Sequence, residues 1–269
     1  TSLDELTSLP GSLLDYQHTL AYTGSLPLEQ VVETVRRHHP LASDLKQPPA
    51  YRFRTAREIS SNEVYVVDQQ TAQAQVRIEF ADGEYNADDR VPASVYTGYF
   101  GSGMSSVVFQ ELREARALAY SASARYGQGS RVNDQNLMLG AIGTQTDKTV
   151  DALNAFIDLI DNMPESEERF DETVAALLNR YRTSKLSFRE VIGAVRGWEE
   201  LGLAGDPRRE SYAKLQSLTF DELKAFQAEH VKDRAKLISI VGDLSIIDTE
   251  ELAQFGSVKE VAVDELFVD

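Results

Sequence analysis

One pattern occurs twice in this chain, once near each end, and it constrains the fold more than any single motif. Near the start, an apolar run over residues 18–23 meets Gly24-Ser25, followed by Pro27-Leu28-Glu29 and a helical pattern over 28–37. Near the end, the run 236–241 meets Gly242-Asp243-Leu244-Ser245, followed by Asp248-Thr249-Glu250. The same order of strand, glycine turn and helix start implies two domains built to one plan, with most of the first one missing. The expected divisions are the tail of a preceding domain over 1–41, a linker over 42–58 and a second domain over 59–269. The chain is then expected to be a piece of a longer one.

Periodicity fills in the elements. The helix over 28–37 places Leu28, Val31, Val32 and Val35 on one face and stops before Pro40. Pro48-Pro49 and many polar residues make the following stretch a linker. Strands are expected over 63–68 and 74–80, the second alternating Val76, Ile78 and Phe80 against Gln75, Arg77 and Glu79. Two helical runs within 88–118 are interrupted at Phe100-Gly101-Ser102-Gly103, and strands near 119–126 and 136–144 follow. Helices are then predicted over 149–162, over one long segment from 167 to about 203, and over 220–230, the last with Thr219 and Glu222 as a capping signature. Strands in pairs followed by helices in pairs predict an α+β fold, an antiparallel-rich sheet covered by helices.

Composition excludes several functions. A chain of 269 residues with 27 Lys+Arg against 43 Asp+Glu carries a net charge of −16, which repels nucleic acid and anionic membrane surfaces. Without cysteine there is no disulfide, thiolate metal site or cysteine nucleophile. No apolar run approaches the roughly 18 residues of a membrane span. A cysteine-free chain suits cytoplasm and periplasm equally, so the compartment stays open between them, with the periplasm slightly favoured.

The most informative stretch is 98–120. Gly101, Gly103 and Ser105 open a helix that runs into Leu112-Arg113-Glu114, a short spacer and Leu118-Ala119-Tyr120. On residue types alone the glycines make a helix-starting turn. A dinucleotide loop is the poorer reading, because Ser106 stands where its third glycine should be. Arg113 alone reads equally as a surface ion-pair residue, and Tyr120 as a half-buried strand tyrosine. The whole arrangement resembles the C-terminal, non-zinc-binding half of the M16 (pitrilysin/insulinase-type) zinc metallopeptidases. The phrase Ile240-Val241-Gly242-Asp243-Leu244 is similar to that family's domain-ending strand and turn.

The resemblance implies an M16-like domain with a mixed sheet, in which Arg113 and Tyr120 are the catalytic pair aimed at a peptide substrate and Gly101, Gly103 and Ser105 bind it. It also implies a partner, the zinc-binding half, on the same polypeptide or a separate chain. Zinc is expected in that half and none in this chain. Metal-binding members use two histidines at helical spacing, whereas here His18, His38, His39 and His230 form no such pair. The helix is expected to end before Tyr120, bringing its hydroxyl back toward the Arg113 guanidinium. The alternatives are a non-catalytic M16-like scaffold subunit and a peptide-binding module that uses a sheet edge.

Overall fold

A computed structural model describes residues 2–39, 43–53 and 55–266 of the chain. The expected boundary at 41/42 and Pro40 lie outside them. Helix α1 (Leu3–Leu13) opens with a capping box between Ser2 and Glu5. Helix α2 (Leu28–His38) follows as predicted. Neither buries a residue: Leu3, Leu6, Leu9 and Leu13 of α1 and Leu28 and Val32 of α2 face solvent. The expected strand over 18–23 does not form. A strand must pair its backbone groups with a neighbour, and the only bridge near it joins Tyr16 to Lys46 among the described residues.

The sheet comprises β1 (Glu63–Asp68), β2 (Gln73–Glu84), β3 (Ser121–Gly127), β4 (Gln135–Gln145), β5 (Leu237–Gly242) and β6 (Ser257–Glu260). Its order is β3-β4-β2-β5-β1-β6. The first three pairings are antiparallel and the last two parallel, so the sheet is mixed and antiparallel-rich, as expected of the α+β class. Period-two alternation makes it one-sided. Val64, Val66, Val76, Ile78, Met138, Ile142, Ile238 and Ile240 are buried on one face, while Gln75, Arg77, Ser123 and Arg125 lie on the other.

Helices α3 (Arg90–Tyr96), α4 (Thr149–Asp161), α5 (Glu167–Thr183), α6 (Val191–Glu200), α7 (Arg208–Ser217) and α8 (Phe220–His230), with a short α9 (Thr249–Leu252), account for the rest. In α4, Leu153, Phe156 and Ile160 are fully buried, each contributing about 1.5–3 kcal/mol. The Phe156 ring packs so closely on the backbone of Gly140 in β4 that a Cβ there would sit 2.8 Å from it. Helix α8 carries the expected Thr219/Glu222 capping box.

The single helix expected from 167 to about 203 is two. It stops at Ser184, which is extended (φ −78°, ψ 128°), and restarts at Val191. Thr183, Ser184 and Ser187 supply side chains that compete for backbone hydrogen bonds. The Ser187 N–H donates to the Glu190 carboxylate at 2.8 Å, which opens α6 and holds that carboxyl below its usual range.

Candidate functional site

The segment between α3 and β3 shapes the open side of the sheet. Helix α3 runs directly into a π-helical turn, Thr97–Gly101. The chain turns through residues 102–106 and re-enters a helix that is π-wound over Phe109–Ala115. Gly101 is needed here because a Cβ would collide with the backbone of Ala124 in edge strand β3. Gly103 has φ +91°, where L side chains are strained. Thr97 holds the same edge: its hydroxyl accepts from the Tyr126 N–H (3.1 Å) and donates to the Tyr126 carbonyl (3.3 Å).

Between this loop and the open face of β2, β3 and β4 lies a groove of about 590 Å³, whose lining includes Gly101, Gly103, Phe109, Arg77 and Arg125. Two of the three residues expected to bind substrate, Gly101 and Gly103, therefore face it. Ser105 is exposed and outside the lining. The serine that closes the turn is its neighbour Ser106, fully buried, with its hydroxyl donating to the Gly103 carbonyl at 2.8 Å.

Arg113 projects from the π-wound segment with its side chain 47% exposed. Its guanidinium stacks 4.8 Å over the ring of Phe109, which connects it to the groove, and its Nε lies 3.8 Å from the Glu114 carboxylate. The helix then ends before Tyr120, as expected. Ala117 adopts φ 51°, and the N–H groups of Leu118 and Ala119 both donate to the Leu112 carbonyl, at 2.8 and 3.2 Å. Tyr120 enters the sheet through its N–H to the Gly143 carbonyl (2.8 Å), leaving its side chain outside the core with the residue 53% exposed. Its hydroxyl oxygen accepts from Gln145 Nε2 at 3.2 Å. The expected return of that hydroxyl to Arg113 is not made, and no hydrogen bond joins the two among the described residues. The backbone pairing with β4 directs Tyr120 toward Gln145 instead.

His18 and His39 approach Nε2 to Nε2 at 2.7 Å, but no third ligand joins them among the described residues. His230 is taken by Asp82, whose nearly buried carboxylate also accepts from the Tyr126 hydroxyl (2.6 Å) and Arg234 (2.9 Å). Burial, followed by the bond to Asp82, pushes the Tyr126 hydroxyl far above the ordinary tyrosine value. Burial likewise raises Asp89, against the opposing pull of His230. This network locks β2, β3 and α8 together. Sequence spacing could not reveal it, since 148 positions separate Asp82 from His230.

A one-sided sheet backed by helices, with a glycine loop rimming a groove on the open face and a tyrosine exposed at the edge, defines a two-layer α+β domain. The chain belongs to the M16 peptidase family: residues 17–177 match the family model of the peptidase M16 inactive domain. It is 27% identical over 239 residues to an uncharacterised zinc protease of Streptomyces coelicolor, covering 84% of this chain and 50% of that protein. Among solved structures it resembles a peptidase M16 inactive domain from Pseudomonas fluorescens (TM-score 0.64, 15% identity, 75% of this chain and 48% of that one). It also resembles the periplasmic protease PqqL of Escherichia coli (TM-score 0.61, 15% identity, 82% and 24%) and a chain of Complex III2 from Candida albicans (TM-score 0.57, 16% identity, 84% and 55%). The chain thus spans about half or less of the first two relatives.

Proposed function

We propose that this chain is the C-terminal, substrate-binding half of an M16-type zinc metallopeptidase, working with a zinc-binding half on the same polypeptide or a separate chain. The observation that carries the reading is the state of Tyr120. Gln145 Nε2 can only donate, so the tyrosine oxygen accepts, and its own proton remains available to an exposed acceptor. A hydroxyl held this way can donate to a peptide carbonyl oxygen as negative charge develops on it, a role worth on the order of 3 kcal/mol. Arg113, exposed and braced by Phe109, would hold a second substrate carbonyl. Gly101 and Gly103 keep the loop backbone low beside the groove. The metal belongs to the other half, which would supply the zinc of the reaction.

The apolar side chains that α1 and α2 leave in solvent support a place for residues 2–39 against a preceding domain, since scattered singly they would need no partner but here they recur along both helices. The match to a family model described as an inactive domain favours a second reading, a scaffold subunit without chemistry.

Reconstitution tests the proposal. The purified chain alone should hold no stoichiometric zinc and cleave no peptide, and addition of its zinc-binding half should produce a peptidase. One tightly held zinc per chain, or cleavage by the chain alone, would contradict it.

A further inference from the structure

We infer that the groove contains an anion subsite, formed by Arg77 and Arg125, that selects peptide segments carrying side-chain carboxylates; the inference rests on the peptide-binding reading above. Arg77 on β2 stands opposite Ala141 of β4, and Arg125 on β3 stands opposite Leu139 of β4. Both therefore project from the open face, two strands and two residues apart, with Cα atoms about 12 Å apart. Both are exposed and both line the groove. Among the described residues, neither guanidinium makes an ion pair or a hydrogen bond.

The chain carries −16 overall, with 43 acidic side chains for 27 basic ones. Arg57, Arg116, Arg131, Arg208 and Arg234 each find an acidic partner, whereas other exposed arginines, Arg36, Arg52 and Arg196 among them, make no ion pair among the described residues. What distinguishes Arg77 and Arg125 within that second set is their place: both line the one groove, where a ligand would meet them. Glu79 lines the same groove two residues from Arg77 and leaves these three groups with a net positive charge. The floor between the arginines is Leu139, Gly140 and Ala141, which offers no competing charge. A guanidinium presents a planar fork of donors that matches a carboxylate in two parallel bonds. The side chains are long enough to reach two carboxylates of one extended segment, whose alternate residues repeat about every 6.6 Å.

The test is a side-chain NMR titration of the whole chain, following the Nε–Hε signals of its arginines. Two soluble peptides of equal length are used, with glutamate at alternate positions in one and glutamine in the other. The glutamate peptide should shift the signals of Arg77 and Arg125 and bind about tenfold or more tightly than its glutamine twin, as a charge-assisted pair requires. In the double variant Arg77→Gln/Arg125→Gln, that preference should vanish; both side chains are exposed, and an unchanged backbone spectrum would show that the fold persists. If both peptides bind equally and shift the same groove signals, the anion subsite is wrong while the peptide-binding reading stands. If the glutamate peptide shifts other arginines instead, the subsite is misplaced and the inference fails. If neither peptide shifts any groove signal, both the inference and the peptide-binding reading fall.

Discussion

The side-chain amide of Gln145, the last residue of β4, donates to the hydroxyl oxygen of the half-exposed Tyr120 at 3.2 Å. If that bond aims the hydroxyl, its loss should matter in turnover more than in folding. Gln145→Leu, measured in the reconstituted two-half enzyme, should lower kcat about threefold to tenfold with KM nearly unchanged, the size of one net hydrogen bond. Equal kcat values for variant and parent would show that Gln145 does not position the tyrosine.

Ala117 closes the helix that carries Arg113, and does so at φ 51°, where a Cβ crowds the following carbonyl. Glycine would remove that strain, offset in part by its greater freedom in the unfolded chain. Ala117→Gly should therefore stabilise the protein by about 0.5–1 kcal/mol in urea unfolding, and Ala117→Val should destabilise it by about 1 kcal/mol or more. A stability loss for the glycine variant would mean that this turn is not strained.

Tyr126 provides a pH signature. Its folded-state pKa is raised, by burial first and then by the bond to Asp82. A raised folded value means that the stabilisation is fully present below the unfolded tyrosine pKa of about 10 and declines as pH rises beyond it, by about 1.4 kcal/mol per pH unit for one proton. Tyr126→Phe should lower stability at neutral pH by about 1–2 kcal/mol, because Asp82 loses one of its donors. It should also flatten the alkaline decline by one proton's worth. Chemical unfolding between neutral pH and about pH 11 measures both, and an unchanged alkaline slope would contradict the assignment.

Much of the framework was legible in the sequence because local patterns and tertiary burial agree there. β1 spans the expected residues, the alternation of Val76, Ile78 and Phe80 marks the buried face of β2, and the Thr219/Glu222 pair starts α8. The readings failed where a non-local partner or a local competitor decides. Residues 18–23 have strand composition without a neighbouring strand, and serines and threonines break the long helix at 184–190 despite its continuing pattern. The π winding over Thr97–Gly101 accompanies the close approach of Gly101 to Ala124, a contact between segments that sequence spacing does not relate. The site divides the same way. The end of the helix before Tyr120 and the exposure of its side chain could be read from the run Ala117-Leu118-Ala119-Tyr120. Gln145, Arg77 and Arg125 reach the site only through sheet register.

The central claim is that Tyr120 donates a hydrogen bond to the substrate oxygen in a reaction whose metal lies in another half. The most direct measurement is kcat of Tyr120→Phe in the reconstituted enzyme, with thermal unfolding as the control and Arg113→Ala as a companion that should weaken binding and turnover together. The account predicts a fall in kcat of about 10- to 1000-fold at unchanged stability, the loss of one donor used mainly in the transition state. A kcat within about twofold of the parent would contradict it and leave the scaffold reading in its place.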